Sequence, residues 1–148
     1  MLKHELVSCN DVAHESLEFG RHHFPDKCFK FETSVPDSFC IHTNRLYLMR
    51  SLREILYNAG KYSDGKHILL SIEKTDTVVR FIFEDTGVGI AEENREQMFE
   101  MFAKFNDLSE GLGLGLPLTK RHIDNLGGSL TLDTTYHDGC RFIVELPV

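Results

Sequence analysis

The chain has 148 residues and a net charge of −7, with 41% apolar and 26% charged residues. That length suits one domain with a real core, and the balance is that of an ordinary globular protein. The acidic charge argues against a nucleic-acid footprint, which needs a basic face, and no run of about 18 apolar residues offers a membrane span.

The start, Met1-Leu2-Lys3-His4-Glu5, lacks the apolar stretch of a signal peptide. Cys9, Cys28, Cys40 and Cys140 are scattered without a C-x-x-C pair. Neither zinc nor a redox dithiol is indicated, and reduced thiols in a cytosolic protein are expected.

Val12, Leu17, Phe19 and Phe24 form a weak helical pattern. His22 and His23 are adjacent, so on a helix they do not face each other, and no third ligand sits at metal spacing. From Lys27 to Val35, Phe29, Phe31 and Thr33 alternate with Lys30 and Glu32, the period of a half-buried strand. Pro36-Asp37-Ser38 ends it, and Phe39-Cys40-Ile41 leads into a helix capped by Thr43 or Asn44.

That helix, about Asn44 to Tyr62, repeats Leu46, Met49, Leu52, Leu56 and Ala59 every three or four residues, which predicts one buried stripe. Glu54, Asn58, Lys61 and Tyr62 share another face. Taken on the helix alone, that second face is expected to be solvated.

Ser63-Asp64-Gly65 reads as a turn. Strands over His67–Glu73 and Val78–Glu84 follow, joined as a hairpin at Thr75-Asp76. Phe81-Ile82-Phe83 is apolar at consecutive positions, which predicts a strand covered on both faces. It delivers Asp85 to a sheet end, where ligand-contacting loops sit. Ala91 to Phe102 reads as a helix with Glu92 and Glu93 in its first turn. A helix from Pro117 to about Leu126 ends at Gly127-Gly128, and strands Ser129–Thr134 and Cys140–Leu146 finish the chain.

Two glycine-rich stretches stand out: Glu84-Asp85-Thr86-Gly87-Val88-Gly89-Ile90, and Gly111-Leu112-Gly113-Leu114-Gly115-Leu116 before a helix. Glycines there expose backbone N–H groups at the positive end of the helix, a phosphate site. The sequence has no G-x-x-x-x-G-K-[ST], and the glycines do not follow a strand as in a dinucleotide fingerprint. A carboxylate at Asp85 can accept from an exocyclic amine. Asn58 offers a carbonyl oxygen to Mg²⁺, Lys61 and Lys104 can neutralise phosphate, and Glu54 can orient or deprotonate an attacking group.

Together these stretches resemble the Bergerat-fold ATP-binding domain shared by sensor histidine kinases, type II topoisomerases, a class of heat-shock chaperones and the DNA-repair protein MutL. Leu52 to Tyr62 is similar to the N box, Asp85 to Ile90 to the G1 box, Met98 to Lys104 to the F box, and Gly111 to Leu116 to the G2 box. The motifs stand in the family order, and the N and F boxes favour the histidine-kinase branch. The resemblance implies a two-layer α/β sandwich, with a mixed, mostly antiparallel sheet of about five strands and helices on one face. It implies a lead-in helix and first strand over residues 1–41, then an ATP-binding core over 42–148, within one domain.

Carried over, the resemblance gives Asn58 the Mg²⁺ role and Asp85 the adenine amine, with Gly87 and Gly89 letting the base approach. Lys61 and Tyr62 match nucleotide contacts, Lys104 a γ-phosphate cation, and Gly111, Gly113 and Gly115 the hinge of a lid over the triphosphate. Ile90, Phe102, Leu114 and Leu116 complete the nucleotide-binding set. Glu54, Asn58 and Lys104 are the implied catalytic group. Three departures are evident: Glu54 stands where many histidine kinases carry asparagine, Leu112 replaces a common threonine, and the lid between Phe102 and Gly111 is short.

The implied partners are ATP, a phosphoacceptor histidine hairpin outside this chain, and a response-regulator receiver domain. Neither nucleic acid nor direct membrane contact is expected, and the location is cytoplasmic, with a parent protein that can be membrane-anchored. His4-Glu5 and His14-Glu15 lack the continuation of an acceptor histidine. Two rivals remain in view. One is an anti-sigma-factor-like serine kinase or nucleotide-binding regulatory module of the same fold. The other is an aspartic protease built on Asp85-Thr86-Gly87, which would leave the second glycine cluster without a purpose.

Overall fold

A computed structural model describes residues 3–62, 67–85, 116–133 and 141–148. The elements in order are β1 (Glu5–Ser8), α1 (Cys9–His23), β2 (Cys28–Thr33), β3 (Cys40–Thr43), α2 (Arg45–Tyr62), β4 (His67–Lys74), β5 (Val78–Asp85), α3 (Leu116–Asn125), β6 (Ser129–Leu132) and β7 (Arg141–Pro147). The predicted helix from Ala91 to Phe102 and the Ser63–Gly65 turn lie outside the described residues.

The main sheet has the order β2-β4-β5-β7-β6. β2 pairs with β4 in parallel, and every other neighbouring pair is antiparallel. One face is the core: Ile68, Leu70 and Ile72 of β4, Val79, Phe81 and Phe83 of β5, and Phe142, Val144 and Leu146 of β7 are all buried. Helices α1, α2 and α3 cover that face with Val12, Leu17, Leu52, Ile55, Leu56 and Ile123. Each large buried apolar side chain contributes about 1.5–3 kcal/mol, so Phe81, Phe83 and Phe142, the largest of them, hold the two layers together. This is the two-layer sandwich expected from the motifs.

The opposite sheet face is different. Ile82 is only half-buried, as are its register partners Ser71 and Ile143. The expectation that Phe81-Ile82-Phe83 is covered on both faces is therefore corrected. The run alternates between a buried side and a half-open side that carries Arg80 paired to Glu145 at 2.8 Å.

A second, two-stranded ribbon pairs β1 with β3, Val7 opposite Ile41. Neither β1 nor β3 is among the expected elements, Phe39-Cys40-Ile41 having read only as the approach to a helix. β1 is four residues long with Val7 as its one buried side chain, too short for alternation to register. The β4–β5 hairpin turns where predicted. The Thr75 hydroxyl accepts from the Thr77 and Val78 N–H groups, and the Thr75 N–H donates to the Val78 carbonyl at 2.8 Å.

Helix α3 also stops where predicted. Gly127 has φ +85°, and the Gly128 N–H donates to the Ile123 carbonyl at 3.0 Å, a C-terminal cap that needs glycine. A Cβ on Gly128 would run into the Glu145 carbonyl of β7, so this glycine also lets the helix end sit against the strand.

Candidate functional site

Helix α2 begins at Asn44, whose side-chain oxygen accepts from the Tyr47 N–H at 2.9 Å, an N-cap contributing about 1 kcal/mol. Thr43, the other candidate cap, is the last residue of β3. Leu48, Met49, Leu52, Ile55, Leu56 and Ala59 form the buried stripe. Leu46, predicted to join it, is 56% exposed. At the first turn Leu48 takes the inward position, and Leu46 lines an open cleft with Lys3, Glu15 and Arg45.

The stripe fixes what the rest of α2 presents. Asn58 is 2% exposed, so the expectation of a solvated second face fails at its central residue. Its Nδ2 donates to the Glu54 carbonyl at 2.8 Å and to Glu54 Oε1 at 3.3 Å. A buried amide must be satisfied in this way, and the i−4 spacing of the helix supplies both acceptors. Burial raises the Glu54 carboxyl above its ordinary value, and the Asn58 hydrogen bond and Lys61 partly oppose that shift. Lys61 is exposed one turn beyond Asn58, and Tyr62 is the last residue of the helix.

β5 passes through the middle of the sheet and ends at Asp85, whose Cα is paired with that of Ile68. Immediately before it, Glu84 stands opposite Arg141 of β7. Arg141 donates to Glu84 Oε2 and to Asp133 Oδ2, each at 3.1 Å, and the Asp133 N–H donates to the Arg141 carbonyl at 2.8 Å. One guanidinium thus joins the ends of β5, β6 and β7 beside Asp85. Sequence reasoning missed Arg141, because nothing local tells that β7 pairs with β5 in this register.

α3 lies against α2. The His122 ring stacks on Tyr47 with centroids 4.5 Å apart and planes within 4°. Between the two helices is a cavity of about 340 Å³ lined by Arg50, Arg53, Glu54, Leu118, Thr119 and His122. Burial, then the cations Arg50 and Arg121, lower the His122 pKa. The structure therefore brings Glu54, Asn58 and Lys61 together on one helix and sets Asp85 at a sheet end. Leu116 opens α3. Gly87, Gly89, Ile90, Phe102, Lys104, Gly111, Gly113, Leu114 and Gly115 lie outside the described residues.

Comparison with known proteins adds family evidence. Residues 43–148 match the family described as histidine kinase-, DNA gyrase B-, and HSP90-like ATPase. The chain is 32% identical over 133 residues to the adaptive-response sensory kinase SasA of Nostoc sp., covering 86% of this chain and 33% of that protein. It is 29% identical over 149 residues to the signal transduction histidine-protein kinase BaeS of Escherichia coli, covering 97% and 31%. The chain thus spans about a third of the length of these curated relatives.

Among solved structures, the mycobacterial sensor histidine kinase MprB superposes with a TM-score of 0.72 at 26% identity, covering 97% of each chain. Full-length ShkA in complex with AMPPNP superposes at 0.73 with 25% identity, covering 99% of this chain and 31% of that one. The catalytic domain of histidine kinase ThkA superposes at 0.76 with 24% identity over 99% and 96%, a likeness of fold.

Proposed function

Because this chain belongs to the histidine kinase-, DNA gyrase B-, and HSP90-like ATPase family, we propose that it serves a two-component sensor kinase, passing the γ-phosphate of ATP to a histidine on a separate helical hairpin. In this reading residues 1–41 form the lead-in and 42–148 the ATP-binding core of one domain. The phosphoryl group then moves to a response-regulator receiver domain, and the domain works on the cytoplasmic side. Among the described residues no helix is long and apolar enough to cross a membrane.

The observation that carries the reading is the Glu54–Asn58 pair, with Asn58 buried and Glu54 half-buried. With Nδ2 spent on Glu54, the Asn58 carbonyl oxygen has no donor among the described residues. That is an oxygen suited to Mg²⁺, a hard cation that keeps several waters and binds substrate phosphates. Asn58 would hold the ion, which when bound supplies charge neutralisation at the phosphates. Asp85 accepts from the adenine amine, and Gly87 and Gly89 let the base approach, with Ile90, Phe102, Leu114 and Leu116 against the nucleotide. Lys61, Tyr62 and Lys104 contact it, and Gly111, Gly113 and Gly115 hinge the lid.

Glu54 orients the acceptor imidazole and takes its proton as the N–P bond forms and ADP departs. A carboxyl raised by burial is a stronger base than an exposed one, which suits that task. The test is calorimetric titration of Mg²⁺-ATP, with Asn58→Ala and Asp85→Asn alongside, then transfer to a supplied histidine hairpin. Saturable binding lost in both variants supports the site. Transfer to a serine-containing protein instead of the hairpin would overturn the histidine assignment.

A further inference from the structure

We propose that the cavity between α2 and α3 binds a phosphoryl group in addition to the nucleotide, at a site that adjoins the nucleotide pocket through Glu54. Its donors are Arg50 and Arg53 of α2, with His122 of α3 across from them. A phosphoryl group requires several N–H donors in a positive field, and the forked guanidinium supplies both.

These two arginines differ from others in the chain. Arg21, Arg45, Arg80 and Arg141 each hold a carboxylate at 3.1 Å or closer. Arg50 and Arg53 make no such pair among the described residues, although acidic residues outnumber cations in the sequence, 23 to 16. Arg53 Nε is buried and has no hydrogen-bond partner among the described residues. Its guanidinium carbon lies 5.2 Å from the Phe19 ring centroid, so α1 supports it from behind.

Glu54 is the one carboxylate among the lining residues, and its hydrogen bond goes to Asn58. Two guanidiniums against that one carboxylate leave the cavity lining net positive. The His122 imidazole registers that charge, since after burial the influences holding its pKa down are Arg50 and Arg121. Stacking on Tyr47 fixes that imidazole in the wall. At about 340 Å³ the space exceeds a single phosphate and leaves room for the group that carries it.

The experiment follows the His122 ring by NMR in the intact chain without nucleotide. Inorganic phosphate, N-phosphoryl imidazole and acetate are titrated separately at matched ionic strength. The expected result is a saturable shift with either phosphoryl compound and a rise in the His122 pKa, because a bound dianion favours the imidazolium. Tighter binding of the imidazole compound assigns a carried phosphoryl group, and tighter binding of phosphate assigns the free anion. The Arg50→Gln/Arg53→Gln variant should lose at least about tenfold in phosphate affinity. Its Mg²⁺-ATP affinity by calorimetry should stay unchanged, which separates this site from the nucleotide reading. Absence of a saturable wild-type shift, equal binding of acetate, or loss of the phosphate response on saturation with Mg²⁺-ATP would each overturn the proposal.

Discussion

Asn58 is tied to Glu54 twice, through the backbone carbonyl at 2.8 Å and the carboxylate at 3.3 Å, one helical turn back along α2. The two side chains therefore behave as a unit. The amide of Asn58 is aimed by its hydrogen bonds, and the Glu54 carboxylate is held at the edge of the α2–α3 cavity.

Replacing Asn58 by Ala removes that unit at both ends. Glu54 loses its side-chain donor in a partly buried setting, and the cost expected is about 1–3 kcal/mol. Denaturant unfolding should show it, and calorimetry should show Mg²⁺-ATP binding lost or much weakened.

Glu54→Gln separates chemistry from binding. Without a proton acceptor, transfer to a supplied hairpin should fall by about 10²–10⁴-fold while nucleotide affinity stays near wild type. Stability should move the other way. A carboxyl whose folded pKa lies above its ordinary 4.5 is fully tolerated below that value and disfavours folding as pH rises through the folded pKa. Glu54→Gln should therefore raise Tm at neutral pH, with the gain vanishing below the ordinary glutamate range.

His122 carries the opposite sign. Burial, Arg50 and Arg121 depress its folded pKa below 6.5, so its contribution is present above 6.5 and is lost as pH falls through the lowered value. His122→Phe keeps a ring for Tyr47. Melting curves of this variant should lose part of the acid-side decline expected of wild type between 6.5 and the lowered pKa.

Arg141→Met leaves Glu84 and Asp133, both mostly covered, as neighbouring like charges at the end of β5. A loss of about 1–3 kcal/mol is expected, below that of a fully buried pair because the guanidinium is partly exposed. Adding Glu84→Gln should recover part of it in a double-mutant cycle. Any effect on nucleotide affinity would report the link from this bridge to Asp85.

Gly128→Ala sets a methyl against the Glu145 carbonyl, a backbone atom that cannot rotate away. The shift this forces between α3 and β7 should cost about 1–3 kcal/mol, read as a lowered urea midpoint with unchanged slope.

The sequence by itself determined the elements whose cause is local. The alternation through Phe29 and Phe31 marks β2, the Thr75 turn joins β4 to β5, the three- and four-residue spacing through Met49, Leu52 and Leu56 marks α2, and Gly127 stops α3. Each depends on neighbours within a few residues, so periodicity and turn chemistry suffice. The order of its glycine motifs also brought out the family.

Tertiary structure alone decided the rest, because those relationships join residues far apart in the chain. The β1–β3 ribbon brings Val7 to Ile41. Leu46 and Leu48 lie on the same turn, yet packing against the core leaves the first exposed and buries the second. Asn58 reads as solvated on the helix alone and is buried only because of what packs around α2. Arg141 reaches Glu84 across 57 positions of sequence. Arg50, Arg53 and His122 share one cavity only because α3 folds back onto α2.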